Sequence, residues 1–210
     1  MLVGVVNYGA GNLYSIMGAL EYLQAPYELI SDGKRLSGCS HILLPGVGSF
    51  RKAISRLNEL DLSNPVIECA KNLKIPTLGI CLGMQLLCGS SDEDGFTEGL
   101  KLVEGHFSLF DSSKRKVPHI GFDSVYPDKN SRLFGGIIEK ADFYFVHSYR
   151  LLDIEKSVKY SYTEHDGERF VSAFEKENIF GTQFHPELSQ GNGLKLIQNF
   201  LGVDAWQKRD

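Results

Sequence analysis

The sequence predicts an α/β fold, a mostly parallel central sheet flanked by helices, with antiparallel strands added to it. Three observations carry this reading. Short, predominantly apolar runs (Leu2 to Val6, His41 to Leu44, Ile75 to Leu78) recur with helical patterns between them, as expected of strands buried on both faces. Two of these runs lead into glycine-bracketed turns, Pro45-Gly46-Val47-Gly48 and Gly79-Ile80-Cys81-Leu82-Gly83. From about Leu102 the pattern becomes strand-rich, and Asp166-Gly167 between two runs is a strong hairpin signal.

Taken in order, Leu2 to Val6 is a strand, broken by Asn7-Tyr8-Gly9-Ala10-Gly11-Asn12 before a helical pattern at Leu13, Ile16, Met17 and Leu20. The Gly9-x-Gly11 pair invites a dinucleotide reading, but Tyr14 stands where the third glycine of that motif belongs, so nucleotide binding is rejected. Tyr27 to Ile30 and His41 to Leu44 are the next strands. Ala53 to Leu60 and Pro65 to Leu73 read as helices, the second capped by Ser63 or Asn64 with Pro65 at its first position. Strands are then expected at Leu102 to Phe107, Val117 to Tyr126, Phe143 to Val146, Val158 to Thr163, Phe170 to Phe174 and Ile179 to Phe184, and a closing helix at Leu194 to Leu201. Residues 1–201 form one domain and 202–210 a tail. In a parallel sheet, ligands bind beyond the carboxyl ends of the strands, and Cys81 follows such an end.

Bulk properties narrow the function classes. A chain of 210 residues with 42% hydrophobic and 23% charged residues suits one well-cored globular domain. Net charge −4 excludes a nucleic-acid footprint, since the densest basic stretch, Lys114-Arg115-Lys116, is a short solvated loop. No run approaches the ~18 apolar residues of a membrane span, and the N-terminus has no export signal. Cys39, Cys69, Cys81 and Cys88 lack metal-ligand spacing, and a free nucleophilic thiol fits a reducing cytoplasm.

The chemistry is carried by two short stretches. In Gly79-Ile80-Cys81-Leu82-Gly83-Met84-Gln85, glycines two residues either side of one cysteine suit a strand-to-helix elbow, where a β-carbon at either flank would clash. The sulfur then stands at a helix N-terminus, where free N–H groups and the macrodipole favour the reactive thiolate. By itself the turn is equally consistent with a small buried thiol. Phe184-His185-Pro186-Glu187 changes that balance, because positions i and i+2 of an extended segment share a face, and a carboxylate beside an imidazole fixes its tautomer. Cys81, His185 and Glu187 then make a nucleophile, base and carboxylate. Gly46-Val47-Gly48 is a second turn after a strand, whose Val47 or Gly48 N–H complements that of Leu82 as an oxyanion donor. The alternative is an ordinary turn that caps the next helix.

These two stretches resemble the class I glutamine amidotransferases, which release ammonia from glutamine. Within that class, Asn7 to Leu13, Leu44 to Gly48, Pro118-His119-Ile120-Gly121 and Phe143-Tyr144-Phe145-Val146-His147-Ser148-Tyr149 resemble the HisH glutaminase subunits of imidazole glycerol phosphate synthase, over about residues 1–201. The resemblance implies a flavodoxin-like fold, no metal and no organic cofactor. It also implies that Gln85 and Glu93 hold the α-amino and α-carboxylate ends of L-glutamine, with Ser148 and Tyr149 closing the pocket. It implies a heterodimer with the (β/α)8-barrel cyclase HisF, which takes up the ammonia for imidazole glycerol phosphate and AICAR formation. Asn7, Asn12, Phe122, Asp123 and Leu188 would face that partner. The chain departs from the family pattern at three places: Asn7 replaces an aspartate, Phe122-Asp123 replaces Trp-Asn, and Leu188 replaces a basic residue.

Three other readings compete. A HisH-like paralogue would feed ammonia to a HisF-like synthase aminating a surface-polysaccharide sugar. A cysteine hydrolase or chaperone of the PfpI type also uses a cysteine elbow, but His185-x-Glu187 favours the amidotransferase. A non-enzymatic subunit on the same fold would be expected to lack the nucleophile or the histidine, and both are here.

Overall fold

A computed structural model describes residues 1–137 and 139–204. The tail expected at 202–210 therefore lies, from residue 205 on, outside the described residues. Among the described residues are five α-helices and thirteen strands, and the first half runs β1 (Val3–Val6), α1 (Leu13–Tyr22), β2 (Tyr27–Ile30), β3 (His41–Leu44), α2 (Phe50–Glu59), α3 (Ser63–Lys71), β4 (Thr77–Ile80) and α4 (Leu82–Leu87). The second half holds β5 (Ser90–Ser91), β6 (Thr97–Glu98), β7 (His106–Leu109), β8 (His119–Tyr126), β9 (Ala141–His147), β10 (Tyr149–Leu151), β11 (Lys159–His165), β12 (Glu168–Lys176), β13 (Ile179–Thr182) and α5 (Gln190–Leu201).

All thirteen strands join in one sheet, with β2-β1-β3-β4-β13 running parallel and everything beyond β13 in its path added mainly antiparallel. The apolar runs of β1, β3 and β4 alternate faces. Val6, Ile42 and Leu44 pack with α2, α3 and α4, while Val3, Val5, Leu43, Leu78 and Ile80 pack with α1 and α5. This two-sided burial is why those strands read as continuous hydrophobic runs. The Asp166-Gly167 turn joins β11 to β12, with φ of 45° and 82°, the paired left-handed geometry of a tight hairpin.

Two expectations need correction. The strand expected at Leu102 to Phe107 begins only at His106. The backbone N–H groups of Leu102 and Val103 instead donate to Leu87 O at 3.0 and 3.2 Å, tying that segment to the end of α4. Helix α3 starts at Ser63 with Leu62 as its cap, so Pro65 is its third residue; Ser63 Oγ donates to Asn58 Oδ1 at 2.6 Å rather than capping. The short strands β5, β6 and β10 carry no periodicity long enough to read. All four cysteines are free and buried. No helix among the described residues is long and apolar enough to cross a membrane.

Candidate active site

Strand β4 ends at Ile80, α4 begins at Leu82, and Cys81 between them is held at φ 52°, ψ −108°. That conformation is costly for a residue with a β-carbon and survives only where its surroundings enforce it. The enforcement is visible at the flanking glycines. A β-carbon on Gly79 would stand 2.6 Å from the backbone of Gly83, and one on Gly83 would stand 1.8 Å from Leu44 O. Gly46 is confined too, since a β-carbon there would stand 2.8 Å from Leu82 Cβ and 2.9 Å from Gly83 N, so the Gly46-Val47-Gly48 turn lies close against the elbow. The elbow expected from the glycine spacing is therefore present, and the Cys81 N–H donates to Thr182 O on β13 at 2.7 Å.

His185 lies past the end of β13, the strand paired in parallel with β4. Its Nδ1 meets Glu187 Oε1 at 2.7 Å, and both side chains are buried. The pairing differs from the extended geometry expected. Pro186–Leu188 is a 3-10 turn that folds Glu187 back under the imidazole, and the fixed φ of Pro186 suits the start of such a turn. His185 Nε2 is buried without a hydrogen-bond partner among the described residues. Burial alone would lower the imidazole pKa, but the adjoining Cys81 sulfur and the Glu187 carboxylate outweigh it and raise the pKa to about 10. The adjoining sulfur and carboxylate thus favour the protonated ring.

Cys81 and His185 open into one cavity of about 320 Å3 that also includes Val47, Gly48, Leu82, Gln85, Glu93, Ser148 and Tyr149. The structure thus gathers nine of the residues anticipated for the reaction at one place, with Glu187 just behind His185. Gly48 has φ +99°, a glycine-favouring conformation in the turn that faces Cys81. Glu93 Oε2 accepts from the Phe50 N–H at 2.7 Å, anchoring the acid to the first turn of α2, and burial raises its carboxyl pKa. Tyr149 OH is likewise pushed up by burial and by Glu93.

The positions expected to face a partner divide in two. Phe122 and Leu188 are exposed, as are Ile120 and Val146, which pair across β8 and β9, and Val146 also lines the cavity. Asn12, by contrast, caps α1 by accepting from Ser15 N at 3.4 Å, Asn7 Oδ1 accepts from Gly9 N, and Asp123 approaches His119 Nε2 at 3.3 Å.

Sequence reasoning missed two buried groups. His147 lines the cavity, with Nδ1 on Tyr149 O at 2.8 Å and Nε2 on His119 Nδ1 at 3.0 Å. Gln183 donates from Nε2 to Cys81 Sγ at 3.6 Å. The i−2 spacing from His185 was the available signal for Gln183, and the Phe-Val-His-Ser-Tyr segment that for His147.

Comparison with known proteins gives the family. The family described as "Glutamine amidotransferase class-I" matches residues 5–203. The chain is 44% identical over 204 residues to imidazole glycerol phosphate synthase subunit HisH 1 of Parasynechococcus marenigrum, covering 95% of this chain and 96% of that one. The chain belongs to the class I glutamine amidotransferase family, and within it to the HisH subunits. The HisH subunit of Chlorobium luteolum is 42% identical, over 95% of this chain and 98% of its own. The HisH of Geobacillus thermodenitrificans is 41% identical, over 96% of both chains. A solved glutamine amidotransferase superposes with a TM-score of 0.76 at 16% identity, covering 96% of this chain and 99% of that one. PurLQS from Thermotoga maritima superposes with a TM-score of 0.74 at 18% identity, covering 96% and 97%. Both likenesses concern the fold alone.

Proposed function

We propose that this chain is the glutaminase subunit of an imidazole glycerol phosphate synthase, with Cys81, His185 and Glu187 as its triad. The observation that carries the reading is the His185 Nδ1–Glu187 Oε1 bond at 2.7 Å with Nε2 left free toward the Cys81 cavity. The Cys81 thiolate attacks the carboxamide carbon of glutamine to give a tetrahedral intermediate. The developing oxyanion is met by backbone N–H groups of Leu82 and of Val47 or Gly48. The imidazolium of His185 delivers its proton to the departing nitrogen, the C–N bond breaks, and ammonia leaves a γ-glutamyl thioester. His185, now neutral, takes a proton from water; the hydroxide adds to the thioester and glutamate departs with regeneration of the thiolate. Gln85 and Glu93 hold the α-amino and α-carboxylate ends, and Ser148 and Tyr149 close the pocket.

The ammonia passes to a HisF-type (β/α)8-barrel bound as a heterodimer partner. Val146 lines the cavity, and Ile120, its partner across β8 and β9, and Phe122, two residues on, are exposed and apolar, which supports docking on that face. Phe122 and Leu188 stand where the family pattern has a tryptophan and a basic residue. That change favours a second reading of the acceptor, a HisF-like synthase acting on a sugar.

Glutamate release from L-glutamine by the purified chain, with and without HisF of the same source, tests the glutaminase. Cys81→Ser should abolish release, while an ammonium salt should still drive the partner's synthase reaction. Retained glutaminase in that variant would refute the triad. Complementation of a histidine auxotroph lacking HisH separates the two acceptors: growth supports the histidine pathway, and failure despite measurable glutaminase and a soluble complex supports the sugar.

A further inference from the structure

Gln183 is fully buried, and its side chain bridges two residues of the cavity. Its Oε1 accepts from Gln85 Nε2 at 3.1 Å, and its Nε2 points to Cys81 Sγ at 3.6 Å. The position follows from the sheet. β13 pairs with β4 so that Thr182 lies opposite Ile80, and the next residue on each strand brings Gln183 beside Cys81. The backbone N–H of Gln183 donates to Ser172 O at 2.8 Å, so the residue is anchored apart from its side chain.

The orientation of the amide decides what it does to the sulfur. An amide has two donors on one side and only acceptor lone pairs on the other. With Oε1 occupied by Gln85, an N–H faces the sulfur, and a donor favours thiolate over thiol. Turning both amides over would aim the Gln183 carbonyl at the sulfur, an arrangement a thiolate repels. The thiolate therefore selects the orientation in which an N–H faces it, and Gln85 Nε2 completes that arrangement on Oε1.

We propose that Gln183 is a thiolate-stabilising group for Cys81, donating an N–H to Sγ while its Oε1 is held by Gln85 Nε2. The inference rests on the reading of Cys81 as the nucleophile. Its kinetic consequence is specific. As the sulfur acylates it loses its charge, so the bond to Gln183 is stronger in the resting thiolate than in the thioester. Loss of Gln183 should lower activity on the acid side of the pH profile and cost little at alkaline pH.

The test is the pH profile of iodoacetamide alkylation of Cys81 in the full chain, with Cys81→Ser giving the background from Cys39, Cys69 and Cys88. Gln183→Leu should raise the midpoint by about one pH unit, a tenfold change in thiolate at fixed pH, and leave the alkaline plateau standing. Gln183→Glu keeps the shape and should raise the midpoint at least as far, because a carboxylate then lies beside the sulfur; it also serves if the leucine variant does not fold. Midpoints unmoved in the folded variants, or a plateau that collapses at every pH, would overturn the proposal and leave Gln183 a packing residue. Because alkylation needs no glutamine, this failure is distinct from failure of the glutaminase reading, which the activity of Cys81→Ser decides.

Discussion

His185 and Glu187 meet Nδ1 to Oε1 at 2.7 Å inside a single 3-10 turn, with both side chains almost wholly out of solvent. A carboxylate so buried favours a positive imidazole and fixes which ring nitrogen faces the cavity. Glu187→Gln keeps the size but removes the charge. Glutaminase activity should fall by ~10- to 100-fold, less than for Cys81→Ser or His185→Ala, because the cysteine and the donors around it remain. Steady-state glutamate release at neutral pH checks this, and unchanged activity would remove Glu187 from the triad.

The Gly46-Val47-Gly48 turn is expected to act as a gate. A peptide bond flanked by glycines rotates at low cost, and one orientation alone turns its N–H toward Cys81. The isolated chain should therefore be a weak glutaminase that its partner activates about a hundredfold, the ~3 kcal/mol of one oxyanion donor. Comparing turnover of the free chain with that of the saturated complex measures the ratio. Full activity of the free chain would refute the gate.

Stability should decline on both sides of neutrality. Burial lowers the pKa of His147 to about 3, and burial with the charge of stacked His165 lowers that of His119 to about 4, both from 6.5. Below pH 6.5 the unfolded chain binds these protons while the fold does not, so stability is lost as pH falls toward 4. His185 acts oppositely: with a folded pKa of about 10, its contribution is complete below pH 6.5 and is lost as pH rises toward 10. Urea unfolding across this range should give a maximum near neutral pH. His119→Gln should flatten the acid limb, and an unaltered acid limb would count against this assignment.

Gly83 tests the elbow itself. An added methyl would stand 1.8 Å from Leu44 O, a backbone atom of a central strand that cannot move aside. Gly83→Ala should cost about 3 kcal/mol and lower the melting temperature by roughly 10 °C. Gly191, with no neighbour within 4 Å of its would-be β-carbon, is the control, and Gly191→Ala should melt within a few degrees of the parent. Equal melting temperatures would contradict the packing described.

The sequence by itself determined the parallel core, the Asp166-Gly167 hairpin, the elbow and the His185/Glu187 pair. Each is written in a few neighbouring residues: apolar runs in β1, β3 and β4, glycines at two and two around Cys81, and a carboxylate two places after a histidine. Even there, periodicity misjudged the means, since a 3-10 turn and not an extended strand joins His185 to Glu187. Tertiary structure alone decided that Gln183 reaches Cys81 across 102 positions, that His147 and His119 share a hydrogen bond, and that Asp123 bends inward while Phe122 stays exposed. Those contacts depend on which strands pair and in what register. Register is settled by packing the whole sheet between its two helical layers, a property that no short stretch of chain carries.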